Sequence, residues 1–269
     1  SDLRPALAKA RQYPLQRRYV EATMAYSRGN WNLSAVQLMD LVYSTKFQKN
    51  RQDYYNALYM LGDSLYHMRN YKAAQKYLNL IIRRPGGKHF QNALQSLVDI
   101  AIRLHSYDLV SQYASHLNSI PPGQRRTELL YQFGRSFFAA RKFDRAKRFL
   151  GQIPVGTKRW GHARFYLGAL LANQKKYADA VREFRDVVGA GKNRDAARRP
   201  AQVVLDYCNL ALGRIFLSRK KYDDAVFHYQ SVDRNSPVYE EALFEMAATH
   251  VANNQSTTSQ NKCGSLIVV

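Results

Sequence analysis

The sequence predicts an all-α fold, a solenoid of stacked antiparallel helix pairs. Three observations carry that prediction. One pattern of large and small apolar residues recurs along most of the chain. Within each copy the apolar positions fall three and four apart, the spacing of one helix face. Prolines fall at the ends of the copies, where a helix must stop.

The pattern is Leu-Gly or Phe-Gly, a large apolar residue three places on, an aromatic six further, Ala three later and a large residue four later. It reads Leu61-Gly62, Leu65, Tyr71, Ala74, Leu78 in one copy and Phe133-Gly134, Phe137, Phe143, Ala146, Leu150 in another. Two more are Leu167-Gly168, Leu171, Tyr177, Ala180, Phe184 and Leu212-Gly213, Phe216, Tyr222, Ala225, Tyr229. Weaker copies surround Tyr107 and Trp31. The glycine lacks a Cβ, so a neighbouring helix can come close, which must outweigh its cost of ~1 kcal/mol against Ala in a helix. The alanine does the same on the second helix. The aromatic opens that second helix and fills the gap at the turn. Asn30, Asn70 and Asp108 stand beside turns, where small polar side chains satisfy free helix-end amides. Pro85, Pro121-Pro122, Pro154 and Pro237 close successive copies.

This pattern resembles the tetratricopeptide repeat, a helix–turn–helix unit of 34 residues. The resemblance implies a right-handed superhelical solenoid of about six full units plus a terminal helix. The units fall at about 15–48, 55–88, 91–124, 127–160, 161–194 and 206–239, inside a solenoid spanning 15–252. Residues 240–252 begin a seventh unit that never finds its second helix. Residues 1–14 read as the remnant of a preceding helix, and 253–269 as a polar tail expected to be poorly ordered. Two joins are longer than the pattern needs: Pro85-Gly86-Gly87-Lys88, and 189–201, either a basic loop or an early start of the next helix at Pro200.

Composition narrows the function classes. Of 269 residues 46% are hydrophobic, which excludes wholesale disorder. Forty-one Lys and Arg against 20 Asp and Glu give a net charge of +21, a surface that attracts acidic partners. No apolar stretch is long enough to span a bilayer. Two cysteines, with no CxxC pair, exclude a disulfide scaffold and a zinc ribbon. The chain starts at Ser1 and not Met, as in a processed or excised polypeptide.

In a tetratricopeptide array the first helices line a concave face. Carried onto this sequence, the resemblance puts Tyr19, Tyr26, Tyr59, Asp63, Tyr66, Asp99, Arg103, Tyr131, Arg135, Phe138, Phe165 and Arg214 in a groove for a peptide or protein segment, with His67, Asn92 and Gln95 among them. Tyrosine suits such a surface because it offers contact area with only two χ angles to freeze. The competing reading is that these rings pack between repeats. The family's branch that grips a C-terminal carboxylate uses Asn at a groove position. The equivalent residues here are Thr23, Asp63, Asp99, Arg135, Ala169 and Arg214, so that clamp is not expected.

Basic residues recur at the helix turns, Arg141-Lys142, Lys175-Lys176 and Lys220-Lys221, and would form an edge that docks an acidic partner or merely solvates. Lys192, Arg194, Arg198 and Arg199 form a second cluster. Nucleic acid is a rival partner, but no base-reading pair recurs at fixed positions. The join Asn235-Ser236-Pro237-Val238-Tyr239-Glu240-Glu241-Ala242-Leu243 resembles those of bacterial cell-envelope tetratricopeptide proteins. That likeness favours an envelope or motility-type assembly over the cytoplasm, or else a non-catalytic helical domain of a larger peptidoglycan-processing enzyme.

No catalytic, cofactor or metal site is expected. Gly62-Asp63-Ser64-Leu65 spells an esterase signature, but that chemistry needs the serine on a strand-to-helix turn, and these residues fall within a helix. The seven histidines lack metal-ligand spacing. Gly86-Gly87-Lys88 lacks the rest of a phosphate loop. Cys208 is expected to be packed in the sixth unit and Cys263 to lie in the tail.

Overall fold

The computed structural model describes residues 14–193, 195 and 199–264, with side chains described to residue 254. The expected helix remnant at 2–12, the end of the tail at 265–269 and the basic residues Arg194 and Arg198 lie outside the described residues. All regular structure among the described residues is helical. The helices are α1 (Pro14–Ser27), α2 (Trp31–Tyr43), α3 (Thr45–Gln48), α4 (Arg51–His67), α5 (Tyr71–Ile82), α6 (Phe90–Arg103) and α7 (Tyr107–Ser115). They continue as α8 (Thr127–Ala139), α9 (Phe143–Leu150), α10 (Trp160–Asn173), α11 (Tyr177–Ala190), α12 (Gln202–Ser218), α13 (Tyr222–Gln230) and α14 (Tyr239–Gly264). Consecutive helices pack on one another, as in a tetratricopeptide-like solenoid.

The chain forms two compact units, residues 1–136 and 137–269. In the first, α1 also packs on α4 and α4 on α6, so the first helices of successive pairs touch. Its core holds Leu38, Leu41, Leu58, Leu61, Leu78, Phe90, Leu94 and Leu97, all nearly inaccessible. In the second, α10 packs on α12, and Phe137, Phe149, Phe184, Leu212 and Phe216 are buried.

Every aromatic at the hairpin turn is the first residue of its helix: Trp31, Tyr71, Tyr107, Phe143, Tyr177 and Tyr222. The turn before it has one geometry throughout. The residue two places before each aromatic has a positive φ, from 53° at His105 to 73° at Gly29. The amide of the next residue returns to a carbonyl five back, as in Asn30 N to Ala25 O at 2.9 Å and Lys176 N to Leu171 O at 2.9 Å. This left-handed cap satisfies the last free carbonyls of the first helix. Glycine fills it once; Arg69, His105, Arg141, Lys175 and Lys220 fill it elsewhere. Their strain is eased by placing a cation at a helix C-terminus, the negative end of its dipole.

The pattern glycines stand where a second helix leaves no room. A Cβ on Gly62 would lie 2.8 Å from Leu78, on Gly168 2.6 Å from Phe184, and on Gly213 2.4 Å from Tyr229. Each neighbour is the large residue that ends the same copy of the pattern. Ala74, Ala146, Ala180 and Ala225 are completely buried.

Several local expectations differ. Asn30 does cap α2, accepting from Leu33 N at 3.3 Å, but Asn70 makes no such bond. Asp108 lies inside the first turn of α7, where its charge meets the helix N-terminus, and Ser106 holds the cap position. The join between the first and second helix pairs contains α3, whose Phe47 is buried. The join at 189–201 brings no early helix: α12 starts at Gln202 after Ala201, because Pro200 is placed to pack near Gly161, whose Cβ would meet it at 2.9 Å. Finally α14 runs past residue 252 to Gly264, since no proline or glycine interrupts the sequence before that point.

Packing and turn geometry together give three stability predictions. Gly213→Ala should lower stability by ~1–2 kcal/mol, because overpacking against a fixed ring exceeds the helix propensity gained. The Tyr229 ring is 2% exposed and its hydroxyl is held by Glu245 at 3.0 Å. Gly189→Ala, where nothing lies within 4 Å, should instead raise stability by ~0.5–1 kcal/mol. Lys175→Gly, at φ 60°, should also stabilise, by roughly 0.5–1 kcal/mol. Urea unfolding of the three variants measures all three signs.

Candidate functional site

The first helices of unit 1 carry a ladder of tyrosines and carboxylates. Tyr26 on α1 donates its hydroxyl to Asp63 Oδ2 on α4 at 2.6 Å. One repeat on, Tyr66 on α4 donates to Asp99 Oδ2 on α6 at 2.7 Å. Each rung joins a first helix to the next by the same pair of repeat positions. Arg103 Nε reaches Asp99 Oδ2 at 2.5 Å, and this contact holds the guanidinium pKa above its usual value. His67 stacks on Trp31 at 4.2 Å and sits 3.6 Å from Asp63 Oδ2. Tyr59 stacks on His89, with ring centroids 4.3 Å apart.

Burial and the adjacent carboxylates keep the tyrosines protonated. Burial first, then Asp63, raises the Tyr26 pKa. Burial and Asp99 push Tyr66 up to about 12. Burial, then Asp63, also raises Tyr59. Asn92 Oδ1 accepts from Arg126, whose amide donates to Gln91 Oε1 at 3.0 Å.

Between these groups lies a recess of about 350 Å³, floored by Tyr59, Asp63 and Tyr66 and walled by Asn92, Gln95, Ser96, Asp99, Arg126 and Gln132. Gln132 Oε1 is buried there without a hydrogen-bond partner.

The recess gathers Tyr59, Asp63, Tyr66 and Asp99 from the expected groove set, and Tyr26 and Arg103 hold its carboxylates. Tyr19 is half-buried against Phe47, 5.4 Å away. Arg135 is exposed. Tyr131 is corrected: it is 6% exposed, turned into the packing between helices, and presents no surface. In unit 2, Phe138 packs on Tyr166 at 5.1 Å, and Phe165 on Tyr207 at 5.7 Å and Phe184 at 5.9 Å. Arg214 bonds Glu245 at 2.6 Å and Glu241 at 2.5 Å on α14. Sequence reasoning missed Arg126 and Gln132. Gln132 stands one place from a mapped groove position, and Arg126 just before α8 begins.

Ser64, of the esterase-like tetrad, is fully buried, and its hydroxyl donates to Ser34 Oγ at 3.4 Å. Cys208 is fully buried, and burial raises its thiol pKa. Among the described residues no three His, Cys, Asp or Glu side chains are grouped to hold a metal, and no helix is long and apolar enough to cross a membrane.

The tyrosine ladder gives a pH signature. Tyr66 ionises near 10 when unfolded and near 12 when folded, so the folded state keeps its proton longer. Its contribution is complete below pH 10 and is lost as pH rises towards 12. The urea midpoint should fall through that window, and Tyr66→Phe should make the fall shallower. An equally steep fall in Tyr66→Phe would remove the tyrosine from the cause.

A family model described as the tetratricopeptide repeat matches residues 56–86, which cover most of α4, the turn and α5. No curated protein matches the chain. Tetratricopeptide repeats generally mediate protein–protein interaction and are typically non-catalytic.

Proposed function

We propose that this tetratricopeptide-repeat-type chain is a non-catalytic scaffold that holds a peptide or protein segment against the first-helix face of its unit 1. The observation that carries this reading is the recess beside the tyrosine ladder, with Gln132 Oε1 buried and unpartnered within it. An extended segment would bring backbone N–H and C=O groups to the polar side chains of the recess wall. Gln95 and Ser96 add donors and acceptors along the same wall. The ladder makes the floor rigid, so little side-chain entropy remains to be lost on binding. The carboxylates of Asp63 and Asp99 accept tyrosine hydroxyls and keep their charge, which Arg103 on Asp99 and Arg126 on Asn92 partly offset. The setting we propose is a bacterial envelope or motility-type assembly, on the likeness of the join at 235–243.

Capture from lysate followed by mass spectrometry tests the face. Gln95→Ala with Gln132→Ala should lose the retained proteins, with affinity falling by about tenfold or more, while helicity and melting stay unchanged. Equal capture by both chains would put the binding surface elsewhere.

A further inference from the structure

The join between the second and third helix pairs opens a separate recess of about 560 Å³. Three cations from three segments stand around it: Arg51 in the first turn of α4, Arg84 beyond the end of α5, and Lys88 in the inserted turn. All three are exposed, and no carboxylate lines the recess. Its wall is ordered before any ligand arrives. The Arg84 guanidinium lies 5.0 Å above the half-buried Tyr55 ring, which holds it in place. His89 Nε2 lies 2.8 Å from Asn56 Oδ1. Burial, then the charge of Lys88, lowers the His89 pKa, so the imidazole lines the wall as a neutral ring at neutral pH. Gly86 turns the join with φ 78°, and the amides of Gly86, Lys88 and His89 donate to no group among the described residues.

Cations gathered without a counter-charge repel one another, and a bound anion relieves that repulsion. The recess is far larger than a single phosphate, and its cations are spread around an exposed mouth. We propose that it binds an acidic segment of a partner protein, whose Asp or Glu carboxylates are taken by Arg51, Arg84 and Lys88 while its backbone meets the free amides of the join. The period-breaking insertion Pro85-Gly86-Gly87-Lys88 is then a docking element and not a spacer. The site shares no lining residue with the recess beside the tyrosine ladder and stands or falls without it.

Fluorescence anisotropy with a short labelled Glu-Gly peptide, against the same peptide with Gln for Glu, tests the proposal. A chain of net charge +21 attracts any polyanion, so the background must be measured. Arg84→Glu with Lys88→Glu should weaken the Glu peptide by about tenfold or more. Lys175→Glu with Lys176→Glu changes net charge equally and should cost no more than about twofold. Arg84→Gln with Lys88→Gln should show the intermediate loss if the reversed pair fails to fold. Gln132→Ala should leave peptide binding unchanged, which separates this site from the first-helix face. Equal losses at both lysine-bearing sites, or no preference for Glu over Gln, would overturn the proposal. Displacement by inorganic phosphate or an oligonucleotide at lower concentration than by unlabelled Glu peptide would give the recess to phosphate and overturn it as well.

Discussion

The distance between the two helices of a hairpin governs the rest of this protein. At Gly62, Gly168 and Gly213 the facing side chain sits closer to the helix than any Cβ permits. That contact fixes where Leu78, Phe184 and Tyr229 lie, and so which face of the second helix turns inward. The turn then has little freedom, because the loop must close between two helices already in contact. Five non-glycine residues accept a left-handed backbone to close it. Each such residue costs about 1 kcal/mol, which a contact burying a Leu, Phe or Tyr offsets. The third copy has Val98 at the glycine position and Ala114 at the large one, so bulk moves to the other helix and the sum is kept.

Once the hairpins share one geometry, equivalent positions on successive first helices come to equal spacing. The tyrosine ladder is a consequence. Tyr26 meets Asp63 and Tyr66 meets Asp99 because the same two repeat positions are filled by the same two residue types. The ladder ends where the types change: Ile102 follows where the next tyrosine would stand, and Arg135 where the next aspartate would. In unit 2 the same region of the repeat carries the rings of Phe138, Tyr166, Phe165 and Tyr207 in contact with one another. The polar ladder is therefore confined by sequence to unit 1, although the helical framework repeats in both units.

Features set by local spacing were legible in the sequence. The apolar period and the turn aromatics place the helix starts correctly, since both act within one hairpin. Features set by a distant partner were not. Arg214 reads as a free groove residue until α14 supplies Glu241 and Glu245, and those acids lie in a copy whose second half the pattern lacks. Tyr131 reads as exposed because the repeat positions are shared between groove and packing, and only the neighbouring helix decides which. Past residue 252 α14 continues to Gly264, because Asn, Ser and Thr are weak helix formers but not breakers. Gln132 escaped notice because an unsatisfied acceptor is defined by what is missing around it, and a sequence records only what is present.

The positive charge divides in the same way between local and long-range causes. At the turns of unit 2 one basic residue of each pair, Arg141, Lys175 or Lys220, sits at a helix C-terminus, where the backbone dipole favours it. Its neighbour, Lys142, Lys176 or Lys221, sits at the following N-terminus, where a cation is disfavoured, and Asp144, Asp179 or Asp223 stands in the first turn to offset it. This edge is therefore accounted for by helix-end electrostatics, and needs no partner to explain it. At the join at 84–88 the C-terminus of α5 accounts for Arg84 in the same way, but not for Lys88 or Arg51. This join is not a hairpin turn, it lies outside the repeat period, and no acid lines the recess it borders. Charge density alone would point to the second half of the chain, where 19 Lys and Arg face 6 Asp and Glu between 123 and 200. Charge that no lining acid offsets points instead to Arg51, Arg84 and Lys88, and it is on this second criterion that the proposed docking of an acidic segment rests.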